Sequence, residues 1–156
     1  MNYWLMKSEP TVYSIDDLKR DRNTEWEGVR NYQARNHMRD TMKTGDLVLF
    51  YHSSTQPTGV AGLAKVSRAA APDPTQFDKK SSYYDSTSQP AEPRWISVEL
   101  SFMEKFQTFV PLDLIKNEPR LRGMEVTRRG SRLSVQPVAK TALERILELG
   151  GSRVKI

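Results

Sequence analysis

Arg94-Trp95-Ile96-Ser97-Val98-Glu99-Leu100-Ser101-Phe102 alternates apolar and polar side chains from Ile96 onward. Ile96, Val98, Leu100 and Phe102 share one face, and Ser97, Glu99 and Ser101 share the other, which is the period of a strand. The pattern predicts a strand over residues 94–106, with Trp95 on its polar side. Upstream, Asp46-Leu47-Val48-Leu49-Phe50-Tyr51 is continuously apolar after its first residue and reads as a buried strand. Gly59 to Val66 is a further strand, and residues 2–8 form another that stops before Glu9-Pro10, because the position before a proline ends regular pairing. Downstream, Leu133-Ser134-Val135-Gln136-Pro137-Val138 follows the turn Arg128-Arg129-Gly130-Ser131-Arg132 as a last strand.

Short helices fill the gaps. Ser14 caps one that runs through Leu18 and Lys19, with Asp17 in its first turn. A second spans about Asn31 to Lys43, where Ala34, Met38 and Met42 make an apolar stripe and Gly45 suits a left-handed cap. Pro111 opens a third that Glu118-Pro119 closes. Thr141 and Glu144 form a capping box for a fourth, whose buried face is Ala142, Leu143, Ile146 and Leu147 and which Gly150-Gly151 ends. The polar stretch from Asp21 to Arg30 holds an isolated Trp26 beside Gly28. From Arg68 to Pro93 the chain is rich in Ala, Pro, Ser, Asp and Tyr, and a long loop is expected there. Five or six short, unevenly spaced strands argue against a doubly wound parallel sheet and for an α+β fold, a small mixed barrel with helices outside. The 156 residues suffice for one domain, 1–156.

Composition narrows the chemistry. The absence of cysteine excludes disulfides, thiolate catalysis and Cys-based metal sites. The two histidines, His37 and His52, lack metal-ligand spacing, so neither a metal nor another cofactor is expected. Gly59-Val60-Ala61-Gly62 is neither a phosphate loop nor a dinucleotide fingerprint. No signal peptide is legible in Met1-Asn2-Tyr3-Trp4-Leu5-Met6-Lys7, and no apolar run approaches the roughly 20 residues that span a bilayer. A cytoplasmic location, or a nuclear one in a eukaryote, is the expectation. A net charge of +5 favours an anionic partner, with nucleic acid ahead of membrane.

Polar and aromatic residues collect at element ends: Lys7-Ser8-Glu9, Trp26, Arg30-Asn31-Tyr32-Gln33, Tyr51-His52-Ser53 and Arg94-Trp95. Each has a plain structural reading. Lys7 can be a solvated end, Trp26 a cap over the core and Asn31 a helix cap. Together they supply the aromatic faces, amides and hydroxyls that a pocket for one splayed-out base requires. Between Pro119 and Lys140 there are six basic residues against one acid, Glu125. The arginines of the 128–132 turn can follow phosphates, with one or more paired to a carboxylate instead.

Several of these segments resemble the EVE domain family. The resemblance is carried by Tyr3-Trp4-Leu5-Met6-Lys7-Ser8-Glu9-Pro10, Trp26-Glu27-Gly28-Val29-Arg30-Asn31-Tyr32-Gln33-Ala34-Arg35-Asn36, Met42-Lys43-Thr44-Gly45-Asp46, Phe50-Tyr51-His52-Ser53, Arg94-Trp95-Ile96-Ser97-Val98 and residues 132–138. It covers nearly the whole chain and implies a PUA-like fold, related to the YTH domains that hold a methylated adenine in an aromatic cage. It further implies binding of DNA or RNA bearing a modified base, notably a modified cytosine, without catalysis. On this resemblance Lys7 and Ser8 hydrogen-bond the base and Trp26 is an aromatic wall. Val29, Arg30, Asn31 and Tyr32 form the pocket edge, and Ser53 sits at its rim. Trp95 faces either the pocket or the core. Arg35, Arg128, Arg129 and Arg132 are the phosphate ligands, with Arg30 assisting. Two other readings stand beside this one. The first is a hydrolase of modified nucleosides, like some ASCH-type PUA-like proteins, using Lys7 and Glu9. The second is a protein-interaction module with a basic face.

Overall fold

The computed structural model describes all 156 residues. Six strands form one mixed sheet: β1 (Tyr3–Ser8), β2 (Asn23–Trp26), β3 (Leu47–His52), β4 (Gly59–Pro72), β5 (Ile96–Pro111) and β6 (Val135–Pro137). Their spatial order is β2-β5-β4-β3-β1-β6. Only β1 and β3 run parallel; the other pairs are antiparallel. The outermost strands β2 and β6 do not pair with each other, so the sheet is open and the expected barrel is not closed.

The sheet separates two cores, and strand periodicity assigns side chains to each. Trp4 and Met6 of β1, with Val48 and Phe50 of β3, pack on one side against Ile15 and Leu18 of α1 (Ile15–Asp21) and Ala34 of α2 (Tyr32–Asn36). Leu5, Leu47, Leu49 and Tyr51 point the other way. There they meet Ile115 of α3 (Leu112–Asn117) and Ala142, Leu143, Ile146 and Leu147 of α4 (Lys140–Leu149). Burial on both faces is why β3 is continuously apolar rather than alternating.

Register shifts between β4 and β5 mark bulges that bend this longest pair. Gly62 permits the contact, since a Cβ there would lie 2.3 Å from the Glu104 carbonyl oxygen.

Several boundaries differ from the expectation. β2 lies in the polar stretch that showed no strand pattern; it is an edge strand whose Trp26 is buried at 8% exposure while Asn23 is exposed. β4 continues to Pro72, so the long loop begins at Asp73 rather than Arg68 and contains a 3₁₀ turn, Pro74–Phe77. β5 continues to Pro111 because Val110 pairs with Val60 of β4. Ser14 caps α1 as expected, and Asp17 does more than supply first-turn charge, since its side chain accepts the Ser14 N–H to complete a capping box. The box expected from Thr141 and Glu144 does not form, because α4 starts two residues earlier than that box requires, at Lys140, with Ala139 at its cap. The second helix becomes a π-helical turn over His37–Thr41 and ends there; Gly45, at φ +96°, serves the following turn instead.

Asp46 joins the start of β3 to β1. Its fully buried carboxylate accepts hydrogen bonds from the Trp4 indole at 3.0 Å, the Lys43 N–H at 2.9 Å and the Asn2 N–H at 3.1 Å. Removing it strands a buried indole donor, and a stranded buried donor costs more than a hydrogen bond contributes. Asp46→Ala is therefore expected to lower unfolding stability by about 2–4 kcal/mol. Urea titration should show an earlier midpoint with an unchanged slope.

Candidate nucleic-acid interface

The parallel pair β1–β3 ends on one side of the sheet, and a cleft of about 730 Å³ opens there. Lys7, Ser8 and Glu9 enter it from β1, Ser53 and Ser54 from the end of β3, Trp26 to Arg30 from the end of β2, and Ser131, Arg132 and Ser134 from the segment before β6. Backbone hydrogen bonds fix these ends together. The Ser53 N–H donates to the Ser8 carbonyl at 2.9 Å, and the Lys7 N–H donates to the Ser134 carbonyl at 2.9 Å.

The Ser8 hydroxyl donates to the Tyr13 carbonyl at 2.6 Å, so its oxygen is left as an acceptor. Trp26 is held edge-on against Phe50, ring centroids 5.5 Å apart. The indole N–H groups of Trp4 and Trp95 donate to Asp46 and Asp85. That of Trp26 has no acceptor in the protein and is not sealed from solvent. Lys7 is half-buried, makes no ion pair and has its Nζ 5.9 Å from the centre of the Tyr51 ring. Burial pushes its amine below the ordinary lysine value, against an opposing pull from Glu125. Glu27 has its carboxyl pushed up, by burial first and then by the neighbouring charges of Asp73 and Glu25. Glu25 is occupied by an ion pair with Arg68 and a hydrogen bond from Ser97.

Arg30 borders the cleft, but its guanidinium is spent within the protein. It donates to the Asp73 carboxylate at 2.9 Å, to Thr75 Oγ1 at 3.1 Å and to the Tyr83 carbonyl at 2.7 Å. It also lies over the rings of Tyr83 and Trp95. Tyr83 lines the cleft above Gly28, which is left-handed at φ +82°; a Cβ there would fall 2.5 Å from the tyrosine ring. Asp73 was not picked out from the sequence, yet its side chain is fully buried. Besides Arg30 it receives the Gly28 N–H at 2.9 Å and the Thr75 hydroxyl and N–H. Burial alone would raise its carboxyl, but the hydrogen bonds from Thr75, Gly28 and Arg30 outweigh it and hold the carboxyl below the ordinary value.

The structure thus brings Lys7, Ser8, Trp26, Val29, Arg30, Ser53 and Arg132 into one cleft. It does not bring Asn31, Tyr32 and Trp95 there. Asn31 caps α2 by accepting the Ala34 N–H at 3.0 Å. Tyr32 stacks on Trp95 at 4.9 Å, and Trp95 is buried under the 73–95 loop, its N–H donating to Gln76. Arg35 lies over Tyr32, donates to the Arg94 carbonyl and borders a separate recess with Arg39 and Arg94. Arg128 and Arg129 border an adjoining groove, and Arg128 pairs with Glu125 at 3.0 Å. Glu27, Tyr83 and Asp73 were missed; a glycine beside an isolated tryptophan was the one local signal that another ring packs closely there.

This arrangement occurs in known proteins. The sequence profile of the EVE domain matches residues 2–149, and the chain belongs to the EVE domain family. It is 40% identical to thymocyte nuclear protein 1 of Gallus gallus, over 94% of this chain and 68% of that protein. It is 38% identical to the Homo sapiens protein, over 95% of this chain and 73% of that one. The fold superposes on a Pseudomonas syringae protein with TM-score 0.91 and 42% identity, covering 95% and 99% of the two chains. It superposes on human THYN1 in complex with 5-methylcytosine-containing DNA with TM-score 0.90 and 37% identity, covering 99% and 100%. An ASCH protein of Zymomonas mobilis, 9% identical with TM-score 0.55, shares the fold alone. No helix is long and apolar enough to cross a membrane.

Because the folded-state carboxyl of Asp73 lies below its unfolded value of about 3.9, its stabilisation is present above that pH and is lost as pH falls through the folded value. Asp73→Asn is expected to cost about 3–5 kcal/mol at neutral pH by leaving Arg30 unpaired. It should also flatten the acid limb of a plot of melting stability against pH below about 4.

Proposed function

We propose that this chain is a non-catalytic DNA-binding module whose cleft takes a single modified cytosine turned out of the duplex. The observation that carries this is Trp26, a tryptophan in the cleft wall whose indole N–H, alone among the three, has no acceptor in the protein. Its ring supplies a stacking surface and its N–H a donor to a base edge. The Ser8 oxygen and the Glu27 carboxylate supply acceptors, suited to the exocyclic amine of cytosine. Val29 supplies apolar surface for a methyl group, while Lys7 and Ser53 complete the polar rim. The likeness to the THYN1 protein solved with 5-methylcytosine-containing DNA supports the same ligand class here. RNA carrying a modified base offers the same base edge and is the natural second ligand to compare.

Magnitudes limit what the pocket can do by shape. Burying one methyl contributes about 1 kcal/mol, a preference of roughly fivefold. Turning a base out of a duplex costs a few kcal/mol. Any larger discrimination therefore comes from polar contacts, and the extrusion cost is offset by contacts to the strand.

The test is an anisotropy titration of short DNA and RNA oligonucleotides carrying cytosine, 5-methylcytosine, 5-hydroxymethylcytosine or N6-methyladenine. Wild-type protein should bind a modified-cytosine DNA at least fivefold tighter than its unmodified counterpart. Trp26→Phe keeps an aromatic ring against Phe50 but removes the N–H, and it should reduce that ratio in protein that still melts cooperatively, at a lower temperature because the smaller ring leaves a void in the core. Equal affinity for all oligonucleotides, unmoved by Trp26→Phe, would sink the base-pocket reading.

A further inference from the structure

A second concavity, of about 750 Å³, adjoins the cleft and shares Lys7, Ser53 and Ser131 with it. The two differ in charge. The base cleft is bordered by three cations and three carboxylates, Glu9, Glu25 and Glu27. The neighbouring groove is bordered by Lys7, Lys116, Arg122, Arg128 and Arg129 and by no carboxylate at all. Lys116 comes from α3 and Arg122 from the turn after it, so three separate segments converge their charges on one hollow. Four of the five cations make no ion pair; Arg128 pairs only with Glu125, its side chain 73% exposed. Like charges around a concave surface repel, and an anion seated among them relieves the repulsion.

We propose that this groove carries the backbone phosphates flanking the nucleotide whose base enters the cleft, with Lys7 at the junction of the two. The proposal rests on the base-pocket reading above. The division of charge supports it. A base edge is neutral and needs both donors and acceptors, whereas a phosphodiester chain needs cations only. The side chains of Arg30 and Arg35, expected from the sequence to hold phosphates, are engaged inside the protein. The unpaired cations of the groove take that task.

Counterion release makes the claim measurable. Each phosphate neutralised on duplex DNA adds about 0.9 to the slope of log affinity against log salt. The triple variant Lys116→Gln/Arg122→Gln/Arg129→Gln alters exposed side chains only and should melt as wild type does. On a duplex with a central 5-methylcytosine its salt slope should fall by about 2 to 3, with at least a tenfold loss of affinity near 0.1 M salt. The ratio of modified to unmodified affinity should not change. A control that removes equal charge elsewhere, Lys19→Gln/Lys65→Gln/Lys155→Gln, should move the slope far less. Competition by 5-methyldeoxycytidine, its 5′-monophosphate and a trinucleotide with the modified base at its centre separates a strand path from a site for a free phosphate. The trinucleotide alone should lose its advantage in the groove variant. A salt slope identical in wild type and groove variant overturns the proposal. So does a groove that inorganic phosphate or the monophosphate occupies as well as the trinucleotide does. Failure of the base-pocket reading shows separately, as wild-type indifference to the modification.

Discussion

The buried carboxylate of Asp73 receives hydrogen bonds from three separate pieces of chain: the Gly28 N–H after β2, the Arg30 guanidinium before α2, and Thr75 in the turn that follows Asp73. A charge so deep in the protein is tolerated only when every lone pair is used, and here the geometry of the cleft follows from using them. Gly28 is drawn to the end of β4, which leaves Trp26 and Val29 flanking the cleft. Arg30 is turned inward, so it can reach the loop and hold Tyr83 above Gly28. The same carboxylate thus orders the wall of the cleft that β2 and the loop supply.

The chemistry of the cleft follows from the sheet beneath it. Lys7, Ser8 and Ser53 stand where two parallel strands stop together, with both faces of the sheet sealed by core. Side chains at that edge share the rigidity of the central strands. The segments around it are fastened by main-chain hydrogen bonds, as between Lys7 and Ser134, and by apolar side chains such as Val29 and Leu133 that enter the core. Such a site is organised before a ligand arrives, which limits the ordering cost of binding.

What was legible in the sequence were features with a period or a local cap. β3 and β5 showed their burial pattern, α4 its apolar face, α1 its Ser14 cap. Lys7, Ser8, Trp26 and Ser53 were legible as polar or aromatic residues at element ends. β2 was hidden because an edge strand of four residues buries only Trp26 and alternates with nothing. The far end of β4 was hidden because Arg68, Ala69 and Ala70 are common in loops, and pairing with β5 rather than propensity makes them a strand. Trp95 was left between pocket and core because it falls on the polar side of the alternation that continues into β5. That side is covered by the returning loop, whose Asp85 and Gln76 satisfy its two N–H groups. Asp73 shows locally only as a cap for Thr75, since Gly28 and Arg30, the partners that tie it to the cleft, are more than forty residues away along the chain.

Arg30 takes hold of residue 83 through its carbonyl oxygen, and Gln76 binds the chain at positions 73 and 95 in the same manner. Main-chain oxygens are common to every amino acid. The hydrogen bonds from Arg30 and Gln76 that fasten the 73–95 segment are therefore indifferent to which side chain stands at position 83, while that side chain is the part that faces the cleft. The anchoring and the ligand-facing chemistry of this loop can drift independently. A lineage can exchange the tip of the loop, and with it the shape offered to a ligand, without unpicking the clasp that keeps it in place.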